Sequence, residues 1–179
     1  LTNNFKRIAE TGQIINLQFW MQCYAFDVIG LITVSRRFGL LDKGEDNSGM
    51  LNSLHQYLRY CASVGVYSEL HSWIFKPVMM LGASGFAHMI NFTAKQISEQ
   101  KASPGKDDFL SRVLAMNKEN PENFTDLDVF ITCITNIGAG SDTTSISLTS
   151  IIYHLIKEPR CFEKVQSLLS SLMLNSINQ

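Results

Sequence analysis

One stretch, from Thr125 to Lys157, limits what this chain can fold into more than any other. It opens Thr125-Asp126-Leu127-Asp128, runs apolar to Ala139-Gly140-Ser141-Asp142-Thr143-Thr144, and continues apolar to Lys157. Thr125 suits an N-cap, because its side-chain oxygen can accept one of the orphan amides. Asp126 and Asp128 oppose the positive end of a helix dipole. Pro159 lies just past the other end and disfavours helix in the residue before it. The stretch therefore predicts one helix over about 125–157, roughly 48 Å long and able to cross a whole domain.

The two sides of this helix differ. At about 100° per residue, Leu127, Phe130, Ile134, Ile137, Leu148, Ile152 and Leu155 fall on one broad side. Thr132, Asn136, Ala139, Gly140, Thr143, Ser147 and Ser150 fall on the other. That second side is small and uncharged, so something bulky is expected to lie against it. Gly138 and Gly140 sit mid-helix, where each costs about 1 kcal/mol relative to Ala. Either a close helix crossing or a bound ligand would account for them.

The order of residues favours the ligand. Ala139-Gly140-Ser141-Asp142-Thr143-Thr144 follows the pattern Ala or Gly, Gly, any residue, Asp or Glu, Thr, then Thr or Ser. A chance match in a chain this long is on the order of one in a thousand. The run resembles the oxygen-activating central helix of the heme-thiolate monooxygenases, the cytochrome P-450 family. Leu127-Asp128, Tyr153-His154-Leu155 and Lys157-Glu158-Pro159 extend the resemblance along the helix. Phe26-Asp27-Val28-Ile29-Gly30 and Arg37-Phe38-Gly39 resemble an earlier helix, most like microsomal members from filamentous fungi.

The resemblance implies reductive cleavage of dioxygen at a heme iron, which consumes protons in a pocket that otherwise excludes water. Asp142 would relay protons inward and Thr143 would hold the oxygen and an ordered water. Ala139 and Gly140 would be small so that the macrocycle can approach the backbone, with Thr144 beside its edge. Thr135 and Gly138 would line the substrate pocket, and a local bulge would interrupt the helix here. The bland alternatives are concrete. Thr143 could bond the carbonyl one turn back, and Asp142 could be a solvated acid.

Composition removes other classes. With 15 basic and 16 acidic residues the net charge is −1, and no basic stripe supports nucleic-acid binding. Cys23, Cys61, Cys133 and Cys161 form no C-x-x-C pair, so no zinc or redox motif is indicated. His55, His71, His88 and His154 lack the H-E-x-x-H spacing. Gly138-x-Gly140 has no third glycine at the dinucleotide spacing, and no G-x-S-x-G elbow occurs. No apolar run is expected to reach the roughly 18 residues of a membrane span.

The remaining chain predicts an all-α fold of about eight helices, with no alternating strand pattern and no repeats. A helix over about Leu17–Ser35 would turn Trp20, Tyr24, Val28, Leu31 and Ile32 to a core. In it, Asp27 would pair or cap locally. Leu41–Gly49 reads as a loop. Met50 to about Gly65 reads as a helix with Leu51, Leu54, Leu58 and Cys61 inward. The apolar zone with Trp73, Ile74, Phe75, Val78, Met79 and Met80 reads from its residues alone as a short core helix and a turn, and by the resemblance would instead belong to a lid-like region of about 50–100 over the substrate channel. Gly85–Gln100, a short helix capped by Asp107 or Asp108, and a helix starting at Pro159 complete the chain, with Asn117–Asn123 as a linker.

An iron-binding cysteine in a glycine-rich loop and an E-x-x-R pair are absent from the sequence, as are the family's beta-rich region and membrane anchor. No metal ligand is therefore assigned. Residues 1–179 are expected to be a single helical fragment of a larger domain, inactive alone. Its parent would use heme, dioxygen, a small organic substrate and an NADPH-dependent reductase at the endoplasmic reticulum membrane. A non-catalytic helical protein with a monooxygenase-like core, and an unrelated bundle with a chance motif, are the competing expectations.

Overall fold

The computed structural model describes residues 1–179 apart from 47–48, 67–68, 70, 72, 75–76, 78–84, 103–106 and 178–179, and apart from the side chains of 85–86 and 173–177. Among the described residues there are eight α-helices and no strand. They are α1 (Thr2–Thr11), α2 (Leu17–Val34), α3 (Leu40–Lys43), α4 (Met50–Val66), α5 (Gly85–Ala102), α6 (Phe109–Glu119), α7 (Asp126–Lys157) and α8 (Pro159–Ile177). Phe75, Val78, Met79 and Met80 of the lid-like region, and most of the loop after Ala102, lie outside the described residues.

The long helix α7 forms as its ends dictate. The Thr125 hydroxyl accepts from the Asp128 amide at 3.4 Å, and the Asp128 carboxylate accepts from the Thr125 amide at 2.7 Å. Each end of this capping box satisfies a donor the helix cannot. Asp108 and Ser111 repeat the device at the start of α6.

The most extensive packing is α2 across α7, and a second pair, α4 with α5, closes on α7 from the side. Between them lies a core of Cys23, Phe26, Leu40, Leu41, Met50, Leu51, Leu54, Met89 and Ile137. A second cluster, Val34, Leu110, Val113, Val129 and Cys133, joins the start of α7 to α2 and α6.

Which face each helix buries differs from the sequence expectation in several places. On α2 the core receives Met21, Cys23, Phe26, Asp27 and Thr33, whereas Leu31 and Ile32 are exposed. This helix is apolar nearly all round, so its pattern selects no side. On α7 the buried residues are Val129, Cys133, Ile137, Ser141 and Ser145, and Leu127 is 64% exposed. These follow successive i, i+4 steps. Each step drifts about 40° around the axis, so the seam winds about 160° and no fixed face describes it. On α4, Leu51 and Leu54 are buried as expected, but Leu58 and Cys61 are exposed.

The segment after α2 is ordered by Asp27. Only 2% exposed, it accepts the amides of Gly39 at 2.8 Å, Leu40 at 3.3 Å and Leu41 at 3.1 Å, with Arg37 at 3.6 Å. Those bonds turn the start of the expected loop into the short helix α3 and bury Leu40 and Leu41. Gly30 lets the chain fold back. A Cβ there would meet the Arg36 carbonyl at 2.5 Å and the Phe38 ring at 2.9 Å. Phe38 in turn packs edge-on against Phe26 and Phe92.

Contrary to the sequence expectation, α2 is long and apolar enough to cross a membrane (mean hydropathy 1.3 over Leu17–Val34), because its few polar residues are uncharged apart from Asp27. Half of it is buried within this fold, the packing of a core helix.

Candidate active-site cavity

Midway along α7, where α4 and α5 approach it, lies a cavity of about 390 Å³. Helix α7 supplies Ile134, Thr135, Gly138, Ala139, Asp142 and Thr143 to its wall. Leu54, Tyr57 and Leu58 from α4 and Met89 from α5 supply the rest. The wall is mainly apolar, with Asp142, Thr143, Thr135 and the Tyr57 hydroxyl as its polar points. Concave, apolar sites with few convergent polar groups are typical of small-molecule pockets.

Of the seven residues singled out from the sequence, Thr135, Gly138, Ala139, Asp142 and Thr143 share this wall. Gly140 and Thr144 do not. Gly140 faces α2, where a Cβ would stand 3.0 Å from Ile29 Cδ1, so its small size serves the helix crossing. Thr144 is exposed. Gly138 opens on the cavity, with the Met89 methyl 3.5 Å from where a Cβ would lie.

The bulge expected near Gly140 is absent. The backbone is α-helical at every residue from Asp126 to Lys157. Hydroxyls lace this part of the helix instead: Thr143 donates to the Ala139 carbonyl at 2.8 Å and Ser141 to that of Ile137 at 2.7 Å. Ser145 does the same to Asp142 at 2.7 Å. Thr143 thus makes the bond that any mid-helix threonine can make, while its oxygen keeps lone pairs to accept with.

Asp142 is half-buried, and its Oδ1 accepts from the Gln22 side-chain amide nitrogen Nε2 at 3.3 Å. The same nitrogen lies 3.1 Å from His55 Nε2. Cys61 hydrogen-bonds the Tyr57 hydroxyl and, with partial burial, raises its pKa, so Tyr57 stays a neutral phenol. Gln22, Tyr57 and Met89 were not singled out from the sequence. Gln22 had a signal: with Gln18 and Asp27 it is one of few strongly polar residues in an otherwise apolar α2.

A model of the cytochrome P-450 family matches residues 1–175. The chain belongs to the cytochrome P-450 family. Similar proteins include a pisatin demethylase of Fusarium vanettenii, 28% identical over 182 residues, covering 96% of this chain and 36% of that protein. Another is the cytochrome P-450 monooxygenase cfoH of Aspergillus candidus, 30% identical over 173 residues, covering 93% of this chain and 32% of that protein. The chain thus spans about a third of the length of the curated relatives it matches.

The cytochrome P-450 cavity can be tested for its fit to heme. A flat macrocycle needs a strip without bulky side chains, and Thr135, Ala139 and Thr143, successive i+4 positions, are small and exposed. An iron ligand is another matter. Burial first, and then Asp27, pushes the Cys23 thiol up to about 12. Burial and then Asp108 raise Cys133 to about 11. Both remain thiols, and thiolate is the ligating form. Cys61 and Cys161 are exposed and outside the cavity wall, and the described residues contain no group of three or more potential metal ligands. The strip is low enough for one face of a heme, and neither buried thiol suits its iron.

Proposed function

We propose that this chain forms the oxygen-side wall of a heme-dependent monooxygenase site acting on a small apolar organic substrate. The observation that carries the proposal is the meeting of Thr135, Gly138, Ala139, Asp142 and Thr143 on one mainly apolar cavity. Ala139 and Thr143 offer the low surface on which the macrocycle would rest. When bound, heme would supply the redox chemistry that activates dioxygen, with electrons from an NADPH-dependent reductase.

The chain's own residues would do the rest. Leu54, Leu58, Met89 and Ile134 offer apolar surface to the substrate. Thr143 accepts a hydrogen bond from an ordered water with the oxygen whose proton is committed to Ala139. Asp142, tied to Gln22 at the wall, carries protons from the α2 side towards that water. Gly138 leaves room for the substrate. Gly140 would bring the backbone close through its α2 contact, and Thr144 would lie at the macrocycle's edge. The isolated chain would be inactive, and its parent would work at the endoplasmic reticulum membrane.

The test is spectroscopic and kinetic. The full-length protein, reduced under carbon monoxide, should give a thiolate-type Soret band, and the 179 residues alone should give none. In the full-length protein, Asp142→Asn should lower turnover about a hundredfold with substrate affinity nearly unchanged. Absence of that band from the full-length protein would reduce the chain to a helical binding protein. Unchanged turnover in the Asp142 variant would remove its proton-carrying role.

A further inference from the structure

We propose that Gln22 is a positioning residue for Asp142, and that the same amide holds His55 as the tautomer protonated on Nδ1. The first half rests on the role given to Asp142 above, whereas the second stands on geometry alone.

Gln22 lies on α2, is 3% exposed, and points between α4 and α7. A buried amide must find partners for its hydrogens. It has two within reach of one atom: Asp142 Oδ1 at 3.3 Å and His55 Nε2 at 3.1 Å, both from Nε2. The carboxylate settles which end of the amide this is. A carboxylate oxygen is an acceptor, so the group facing it is the NH2 and not the carbonyl. Turned round, the amide would set its oxygen against a carboxylate oxygen, two acceptors with no proton between them.

With the NH2 fixed, the His55 nitrogen has no choice either. A neutral imidazole has one donor and one acceptor nitrogen. Since Gln22 donates to Nε2, Nε2 is the acceptor and the proton sits on Nδ1. Neutral histidine free in water prefers the opposite arrangement, so the bond leaves a spectroscopic mark. Three helices are joined by this arrangement: His55 on α4, Gln22 on α2 and Asp142 on α7. Its consequence at the cavity is that Asp142 is kept to one orientation at the wall, where an untethered aspartate could swing into solvent.

The tautomer can be read from imidazole 15N shifts in the intact protein labelled at histidine, at a pH where His55 is neutral. His55→Asn identifies the signal by its loss. The wild type should show His55 with Nδ1–H and bare Nε2. Gln22→Leu should switch it mainly to Nε2–H. Gln22→Glu should do the same, because a carboxylate there needs a donor from the ring. Asp142→Leu, which removes the group that orients the amide, should give a mixture of tautomers.

A wild-type His55 carrying its proton on Nε2 would overturn the proposal without any variant having to fold. An unchanged pure Nδ1–H signal in Asp142→Leu would overturn the link to Asp142. None of these readings depends on heme or turnover. A thiolate-type Soret band without the predicted tautomer would therefore sink this inference alone, whereas the reverse result would sink the proposed function and the positioning role with it and leave the tautomer assignment standing.

Discussion

Asp27 shows at the scale of one residue how a buried carboxylate can organise a neighbouring segment. It is in the Phe26–Gly30 block, and its oxygens serve three successive amides, of which those of Leu40 and Leu41 belong to buried residues. Removing it strands donors that water cannot reach, which is costlier than losing a surface hydrogen bond. Asp27→Ala should destabilise the chain by about 3 kcal/mol in urea unfolding, and Asp27→Asn, which keeps one acceptor oxygen, by clearly less. Equal losses would mean that charge, not acceptor geometry, matters here. Gly140 invites a complementary test. Ala there gains helix propensity of about 1 kcal/mol against a mild push on the flexible end of Ile29. Gly140→Ala should therefore be near neutral, while Gly140→Val, with two more carbons aimed at α2, should cost about 1–3 kcal/mol. A harmless Gly140→Val would show that α2 does not lie where Ile29 places it.

At the scale of the element, α7 owes its start to Thr125 and Asp128. The Thr125 hydroxyl and amide, as hydrogen-bond partners, hold the Asp128 pKa below the ordinary 3.8. A depressed carboxylate pKa means that the folded state binds this proton less readily than the unfolded chain. Its stabilising contribution is present above 3.8 and is lost as pH falls through the lower, folded value. Thr125→Ala should lower stability at neutral pH by about 1 kcal/mol and make the loss of helix below about pH 4 shallower. Circular dichroism followed against pH would check this, and an acid limb identical in both proteins would exclude the box as its source. The ends of α7 were legible in the sequence because capping is local chemistry between residues three apart. The buried seam was not, because it winds around the helix with the direction of α2, and a projection at constant angle averages it away.

At the scale of the molecule, the burial pattern sorts the four cysteines into two pairs. Cys23 and Cys133 lie in the two separate cores with thiols raised to about 12 and about 11, while Cys61 and Cys161 are exposed. Alkylation of the chain at neutral pH should modify Cys61 and Cys161 first, and Cys23 and Cys133 about a hundredfold more slowly. Peptide mass mapping would follow the rates, and four similar rates would mean that neither core persists. Large apolar side chains are also left exposed along the second half of α7 and on α8, among them Ile151, Ile156, Phe162 and Leu168. A patch of that kind usually meets another surface.

The order of residues by itself determined the all-helical class, the long central rod with its two ends, and the family, because these depend on neighbours a few positions apart. It also named five of the cavity's residues. What only the tertiary structure decided was which side each helix buries, that Gly140 yields to Ile29, and that Gln22 reaches Asp142 across 120 positions of sequence. Those outcomes turn on the angle at which one apolar helix crosses another. Side-chain periodicity within either helix does not contain that angle.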